Sequence, residues 1–158
     1  MKKLWSSGLV VLAGMVAQPA GVAPQQVPAH PAPGCRRDSR LETLRRFFRK
    51  CGCPAGMYSS VFLEAADDYA LDWRLLPSIS YVETTGGKAA RNNNLFGWDS
   101  GRAHFPSLTL GIHAVAYHLA HSVLYRDKNL DGMLAAYNHS PAYRQKVKSV
   151  MKRIAASE

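Results

Sequence analysis

An uncharged, proline-rich stretch at residues 18–34 sets the strongest limit on what this chain can fold into. It holds five prolines and no charged residue, and proline cannot donate the backbone hydrogen bonds that helices and central strands require. Such a composition is typical of an extended spacer rather than of a packed core. The folded part is therefore expected to begin near Cys35, and residues 35–158 suit a single domain.

The residues before the spacer have the organisation of a secretory signal peptide. Two lysines precede an apolar run from Leu4 to Ala17, and small residues follow it. The run is shorter than the roughly 20 residues that cross a membrane, so an uncleaved anchor is the less favoured alternative. We predict a signal peptide at residues 1–23, a Pro/Ala-rich spacer at 24–34 and a periplasmic or secreted location in a bacterial envelope.

The composition is that of a basic globular protein, with 47% hydrophobic residues and a formal net charge of +9. The positive charge is concentrated at the two ends of the predicted domain: residues 36–50 hold 7 basic and 2 acidic residues, and residues 141–158 hold 5 and 1. For an exported protein, an anionic cell envelope is a better partner for this positive charge than nucleic acid. The alternative is an ordinary solvent-exposed charged surface that has no partner. We expect a monomer, with no nucleic-acid partner and no stable membrane insertion after signal cleavage.

The cysteines and histidines do not match a known metal motif. Cys51 and Cys53 flank one glycine and are too close to pair easily with each other, so Cys35 has two possible disulfide partners. His113 and His121 lie two turns apart on a predicted helix whose same face carries no acidic residue, and the zinc-hydrolase pattern is absent. We predict no metal site and no cofactor.

Helical periodicity accounts for most of the predicted domain. The sequence predicts an α+β fold, mostly helical, with about six helices and one short β-hairpin that pairs Phe96–Trp98 with Ala103–Phe105. Ser39 and Ser107 are expected to cap the first and fourth helices. Pro77, inside the third helix, predicts a kink or a tight first turn. The predicted helices cover residues 39–51, 59–70, 73–84, 108–123, 130–137 and 141–154.

Glu83 is the acidic residue most out of place in this pattern. It follows Ser80, Ile79 and Leu76 by three, four and seven residues, so it shares their inward-facing stripe. Desolvation there would raise the pKa of its carboxyl group and keep it protonated closer to neutral pH. Such a glutamic acid can protonate a glycosidic oxygen as a general acid. The alternative is a frayed helix end at which Glu83 reaches water.

The segment after this helix carries the residue types of a carbohydrate cleft. Asn94 supplies an amide, and Phe96 and Trp98 supply flat apolar faces, although turns and cores use the same residues. Tyr137, on the apolar face of the fifth predicted helix, is a candidate to reach the same cleft. Asp99 is the best-placed second carboxylate for a two-carboxylate mechanism, and it is also a good turn former.

Four segments of the chain resemble the glucosaminidase family, whose members are also called mannosyl-glycoprotein endo-β-N-acetylglucosaminidase-like domains. The segments are YALDWRLLPSISYVETTGGK (69–88), NNLFGW (93–98), HFPSLTLGIHAV (104–115) and YNHSPAYRQKV (137–147). The resemblance covers residues 57–155. It implies a lysozyme-like fold and an exported peptidoglycan hydrolase that cleaves β-1,4 glycosidic bonds of the glycan strand without a cofactor.

The resemblance also implies roles for individual residues. Glu83 matches the catalytic acid of the family, and Tyr137 matches a tyrosine that approaches the reacting centre. Asn94, Phe96 and Gly97 match the segment that lines the sugar cleft. With Trp98 and Asp99 from the residue chemistry above, these form the predicted substrate-binding set.

Two positions depart from the related soluble lytic transglycosylases. Thr84 stands where those enzymes have a serine after the glutamate, and Ser140 stands where their Tyr-Asn-x-Gly motif has glycine. Both departures weaken the transglycosylase interpretation without excluding it, and a lytic transglycosylase or a muramidase on the same fold is the alternative enzyme. A non-catalytic wall-binding or secretion-accessory domain is the alternative from another class.

Overall fold

A computed structural model describes residues 38–157, which form six α-helices and one 3₁₀ helix. The predicted signal peptide, the spacer and Cys35 lie outside the described residues. The mostly helical class is confirmed, and none of the described helices is long and apolar enough to cross a membrane. The helices are α1 (Ser39–Lys50), α2 (Ser59–Asp68), α3 (Leu75–Thr84), α4 (Leu108–His121), α5 (Leu130–Tyr137) and α6 (Pro141–Ala155), with the 3₁₀ helix (Pro54–Tyr58) before α2.

Side-chain caps set where several of these helices begin. Ser107 accepts a hydrogen bond from the Leu110 N–H and caps α4, as predicted. The cap of α1 is Asp38 rather than Ser39, because the Asp38 carboxylate accepts from the Arg40 N–H at 2.9 Å. A carboxylate at this position also interacts favourably with the helix dipole.

Pro77 lies in the first turn of helix α3. The helix begins at Leu75, two residues later than predicted, so Pro77 is the third helical residue. The N–H groups of the first turn have no intrahelical acceptor, and the missing proline donor therefore costs nothing there. Thr85 ends the helix in the left-handed conformation, with φ of 54°.

The predicted β-hairpin is wrong. The described part of the chain contains no strand, and only an isolated antiparallel bridge joins Arg91 to Asn94. Gly97, Asp99 and Gly101 have φ values of 60°, 52° and 80°, which lie outside the range of paired strands. The segment between α3 and α4 is therefore an irregular loop.

Stacked aromatic rings fix this irregular loop to the core. Phe48 of α1 stacks on Phe62 of α2 with ring centroids 5.8 Å apart, and the edge of Phe62 meets Phe96 of the loop at 6.4 Å. All three side chains are fully buried. Val123 was predicted to extend the buried stripe of α4, but α4 ends at His121 and Val123 is 79% exposed.

Thr84 attaches the end of α3 to the same loop. Its buried hydroxyl group donates to the Leu95 carbonyl at 2.8 Å and also approaches the Ser80 carbonyl, and it accepts from the Gly87 N–H at 3.1 Å. The side chain therefore satisfies backbone groups on both sides of a sharp change of chain direction.

We predict that Thr84→Val destabilises the protein by about 1–3 kcal/mol, because it leaves buried backbone groups without partners while keeping the side-chain shape. Thr109→Val on the exposed face of α4 is the matched control, and it should change the free energy of unfolding little. Urea unfolding of both variants measures the difference. Equal stabilities would show that the Thr84 hydroxyl does not hold the loop.

Candidate active site

Glu83 lies in the last turn of α3 and is half-buried against the loop. Its carboxyl group packs on Gly97 so closely that a Cβ built there would lie 2.8 Å from Oε2. Gly97 also has φ of 60°, which disfavours any residue with a side chain. Glycine is therefore required at this position for the loop to cover the carboxyl group.

Burial raises the pKa of Glu83 above the ordinary value of 4.5. The Tyr143 hydroxyl, on the first turn of α6, lies beside the carboxyl group and favours its ionised form, which offsets part of the effect of burial. Among the described residues this hydroxyl has no well-formed hydrogen bond. Burial is the larger influence, so Glu83 keeps its proton to a higher pH than an exposed glutamate does.

Asn94 organises the loop beneath the surface and is not free to contact a ligand. It is 3% exposed, and its amide nitrogen donates to the carbonyls of Trp98 and Ala103 at 3.0 and 3.3 Å. Its amide oxygen accepts from the N–H groups of Phe96 and Trp98. The predicted sugar contact by Asn94 is therefore replaced by an internal role: the side chain supplies the hydrogen bonds that a strand pairing would otherwise make.

The Phe96 ring is likewise unavailable as a sugar-binding face, because it is 1% exposed in the core. The backbone of Phe96 contributes to the site instead, because its carbonyl accepts a hydrogen bond of 2.5 Å from the Tyr137 hydroxyl. Burial and the nearby Glu83 raise the pKa of Tyr137 well above its ordinary range. Tyr137 is thus a neutral donor committed to the loop backbone.

A groove of about 430 Å³ opens beside this cluster. Glu83 itself is not among the residues that line the groove, but Gly97 and Tyr137, which do line it, both lie beside Glu83. A larger groove of about 570 Å³ lies between α3 and α6, and neither Gly97 nor Tyr137 lines it. The smaller groove is lined by Gly97, Trp98, Asp99, Ser100, Tyr125 and Tyr137.

Aromatic rings form one side of this groove. Trp98 is half-buried and stacks on His118 of α4, with centroids 5.5 Å apart and an interplanar angle of 21°. Tyr137 and Tyr125 lie tilted beside Trp98 at 5.7 and 6.2 Å. The indole is thus supported from behind while part of it remains exposed, which suits contact with an apolar ligand face.

Asp99 lines the same groove, and its carboxylate pairs with an arginine. It is exposed, has a left-handed backbone, and pairs with Arg102 at 2.8 Å. This hydrogen-bonded arginine lowers the pKa of Asp99. Asp99 therefore behaves as the turn former that the sequence analysis gave as its alternative role.

Tyr125, Tyr143 and His118 are site residues that the sequence analysis missed. Tyr143 was assigned to the buried stripe of α6, which is correct for its ring but does not reveal that its hydroxyl meets Glu83. Tyr125 follows α4 in a short irregular connection, where no periodicity indicates direction. A helical stripe predicts burial, whereas the position of a terminal hydroxyl depends on how helices pack.

Comparisons with protein-family models, with curated proteins and with solved structures gave no match for this chain. The class that the structure defines is therefore a mostly helical domain with a half-buried glutamic acid beside an aromatic groove.

We predict that Gly97→Ala destabilises the protein by about 1–3 kcal/mol more than Gly101→Ala does. Both glycines have positive φ, so both variants have the strain of a left-handed alanine, but a Cβ at Gly101 has no atom within 4 Å. Denaturant unfolding of the pair isolates the clash with Glu83. Equal losses would show that the carboxyl group moves away without cost.

Replacement of Glu83 by glutamine is expected to stabilise the protein at neutral pH. A raised pKa means that the folded state binds the proton more tightly than the unfolded state, so wild-type stability falls as pH rises from about 4.5 through the raised value. The glutamine side chain of Glu83→Gln does not ionise, so this variant avoids the fall in stability that the wild type shows as pH rises. Its gain in melting temperature over wild type should be larger at pH 7 than near pH 4. Glu42→Gln, at an exposed ion pair with Arg45, should show no such gain.

Proposed function

We propose that this chain is an exported peptidoglycan hydrolase of the endo-β-N-acetylglucosaminidase type, with a lysozyme-like fold, and that Glu83 is its general acid. The observation that carries the proposal is a half-buried carboxyl group of raised pKa packed against Gly97, which lines an aromatic groove. The resemblance of the sequence to glucosaminidases supplies the substrate class, and the basic ends of the domain favour adsorption to an anionic wall.

In the proposed reaction, a single carboxyl group is enough to donate the proton and to take it back. Glu83 gives its proton to the glycosidic oxygen as the bond from that oxygen to the anomeric carbon breaks. A water molecule then adds to the anomeric carbon and returns a proton to the Glu83 carboxylate. The charge that develops on the sugar is stabilised either by the substrate's own 2-acetamido group or by the ionised Glu83.

Recognition of the sugar is assigned to the exposed side of the groove. Trp98 offers a supported flat face for the CH groups of a pyranose ring, and Tyr125 and Tyr137 extend that surface. Gly97 lets the sugar approach Glu83 without an intervening side chain. Asn94 and Phe96 act from beneath by holding this loop in place.

A lytic transglycosylase is the second candidate, and the pairing of Asp99 favours it. The Asp99 carboxylate is exposed and already paired with Arg102, which makes it a weaker second carboxylate for Glu83. In a transglycosylase a single glutamic acid acts first as acid and then as base, and a hydroxyl group of the cleaved sugar replaces water as nucleophile. A muramidase would use the same acid on the other β-1,4 bond of the strand.

We predict that Glu83→Gln lowers the rate of sacculus digestion by about 10²–10⁴-fold, because glutamine cannot donate the required proton. Glu42→Gln removes an equal charge from an exposed position on α1 and should retain activity. Turbidity loss of purified sacculi gives the rate, and mass spectrometry gives the product. Reducing N-acetylglucosamine ends are expected.

Each other product leads to a different conclusion. Reducing N-acetylmuramic acid ends would indicate a muramidase, and 1,6-anhydro ends a transglycosylase. Equal activity of wild type and Glu83→Gln, including no activity in either, would contradict the enzyme proposal and favour a non-catalytic wall-binding or secretion-accessory domain.

A further inference from the structure

A second cluster of potential ligands lies on the α2 and α4 helices. Glu64 and Asp68 are one helical turn apart on α2, and His113 projects toward them from α4. One carboxylate oxygen from each acid and one imidazole nitrogen all lie within 4.8 Å of one another. Three donor atoms from two different helices thus converge on one point.

The two carboxylates in this cluster lack the basic partners that most other acidic residues of the described part of the chain have. Within residues 38–157, neither Glu64 nor Asp68 forms an ion pair with lysine or arginine, although the chain carries a large excess of both. Glu83 is the third such acid. The acidic residues that do pair with arginine or lysine are Asp38, Glu42, Asp67, Asp72, Asp99, Asp127 and Asp131.

The spacing of the donor atoms suits a shared ion better than a direct bond. His113 Nδ1 lies 3.9 Å from an Asp68 carboxylate oxygen, which is too long for a hydrogen bond. Two ligands bound about 2.1 Å from one metal ion are separated by roughly 3–4 Å when they are adjacent in its coordination shell. A small side-chain adjustment would bring all three atoms to that geometry.

We propose that Glu64, Asp68 and His113 bind a divalent transition-metal ion, for which Zn²⁺ is the best match. Imidazole nitrogen favours zinc over calcium and magnesium, and carboxylate oxygens complete a common zinc donor set with water. The sequence predicts no metal site, because no acidic residue shares the His113 face of its own helix. The acids come instead from α2, which packs against α4.

The ion would act as a cross-link between two helices. Helix α4 carries His118, on which Trp98 of the groove stacks. An ion that joins α2 to α4 would therefore stabilise the folded state and the support of the groove, without entering the proposed chemistry of Glu83. The metal site and the hydrolase proposal stand or fall separately.

The test is calorimetric titration of the full chain with ZnCl₂, with CaCl₂ and MgCl₂ as comparison ions, together with thermal unfolding in each salt. We expect Zn²⁺ to bind with one ion per chain and to raise the melting temperature. Asp68→Asn and His113→Gln should each weaken Zn²⁺ binding at least tenfold and abolish the thermal shift.

Matched variants exclude nonspecific effects of charge and of surface histidine. Asp127→Asn removes an equal charge from an exposed ion pair, and His139→Gln removes a histidine that is exposed between α5 and α6. Both should bind Zn²⁺ as wild type does. Asp68 is exposed, so Asp68→Asn decides the question if His113→Gln does not fold.

No Zn²⁺ binding by wild type, or equal binding by Asp68→Asn and wild type, would overturn the site. Substitution of Co²⁺ for Zn²⁺ tests for cysteine ligands, and a thiolate charge-transfer band would overturn the site by placing the ion at cysteines. Loss of binding in His121→Gln but not in His113→Gln would also contradict it, because it would move the site along α4.

Discussion

The candidate site depends on one close packing contact, that between the Glu83 carboxyl group and the backbone of Gly97. The loop can cover the end of α3 only because Gly97 has no side chain at the point of contact. Thr84 and Asn94 hold the loop there through hydrogen bonds to its backbone. The burial that raises the pKa of Glu83 is therefore a product of loop position, and a loosened loop would return the carboxyl group to water.

The features that the sequence predicted well are local ones. The inward direction of Glu83 follows from its spacing to Leu76 and Ile79, because three residues on one helical stripe share a face in any fold. The start of α4 at Ser107 follows from a cap whose acceptor lies only three residues from its donor. Helix number and order were recovered for the same reason.

The features that could not be predicted from the sequence depend on contacts between distant segments. The types of Asn94 and Phe96 suggested a sugar cleft, but their side chains point inward, and only the tertiary fold decides which side of the loop is exposed. Tyr143 meets Glu83 because α6 packs on α3. The spacing of residues along the sequence likewise does not predict that Glu64 and Asp68 lie beside a histidine of another helix.

The electrostatics of the site favour chemistry by a single proton donor. Glu83, Tyr137 and Tyr143 lie close enough to interact, and burial followed by neighbouring charge raises the pKa of both tyrosines far from neutrality. Of these three groups, Glu83 is the one with the lowest ordinary pKa, and burial raises that pKa. Asp99 is ionised, exposed and paired with Arg102, so water and the arginine weaken its field at Glu83. In the proposed reaction Glu83 would both give and recover the proton, as hydrolysis with acetamido assistance and transglycosylation both require.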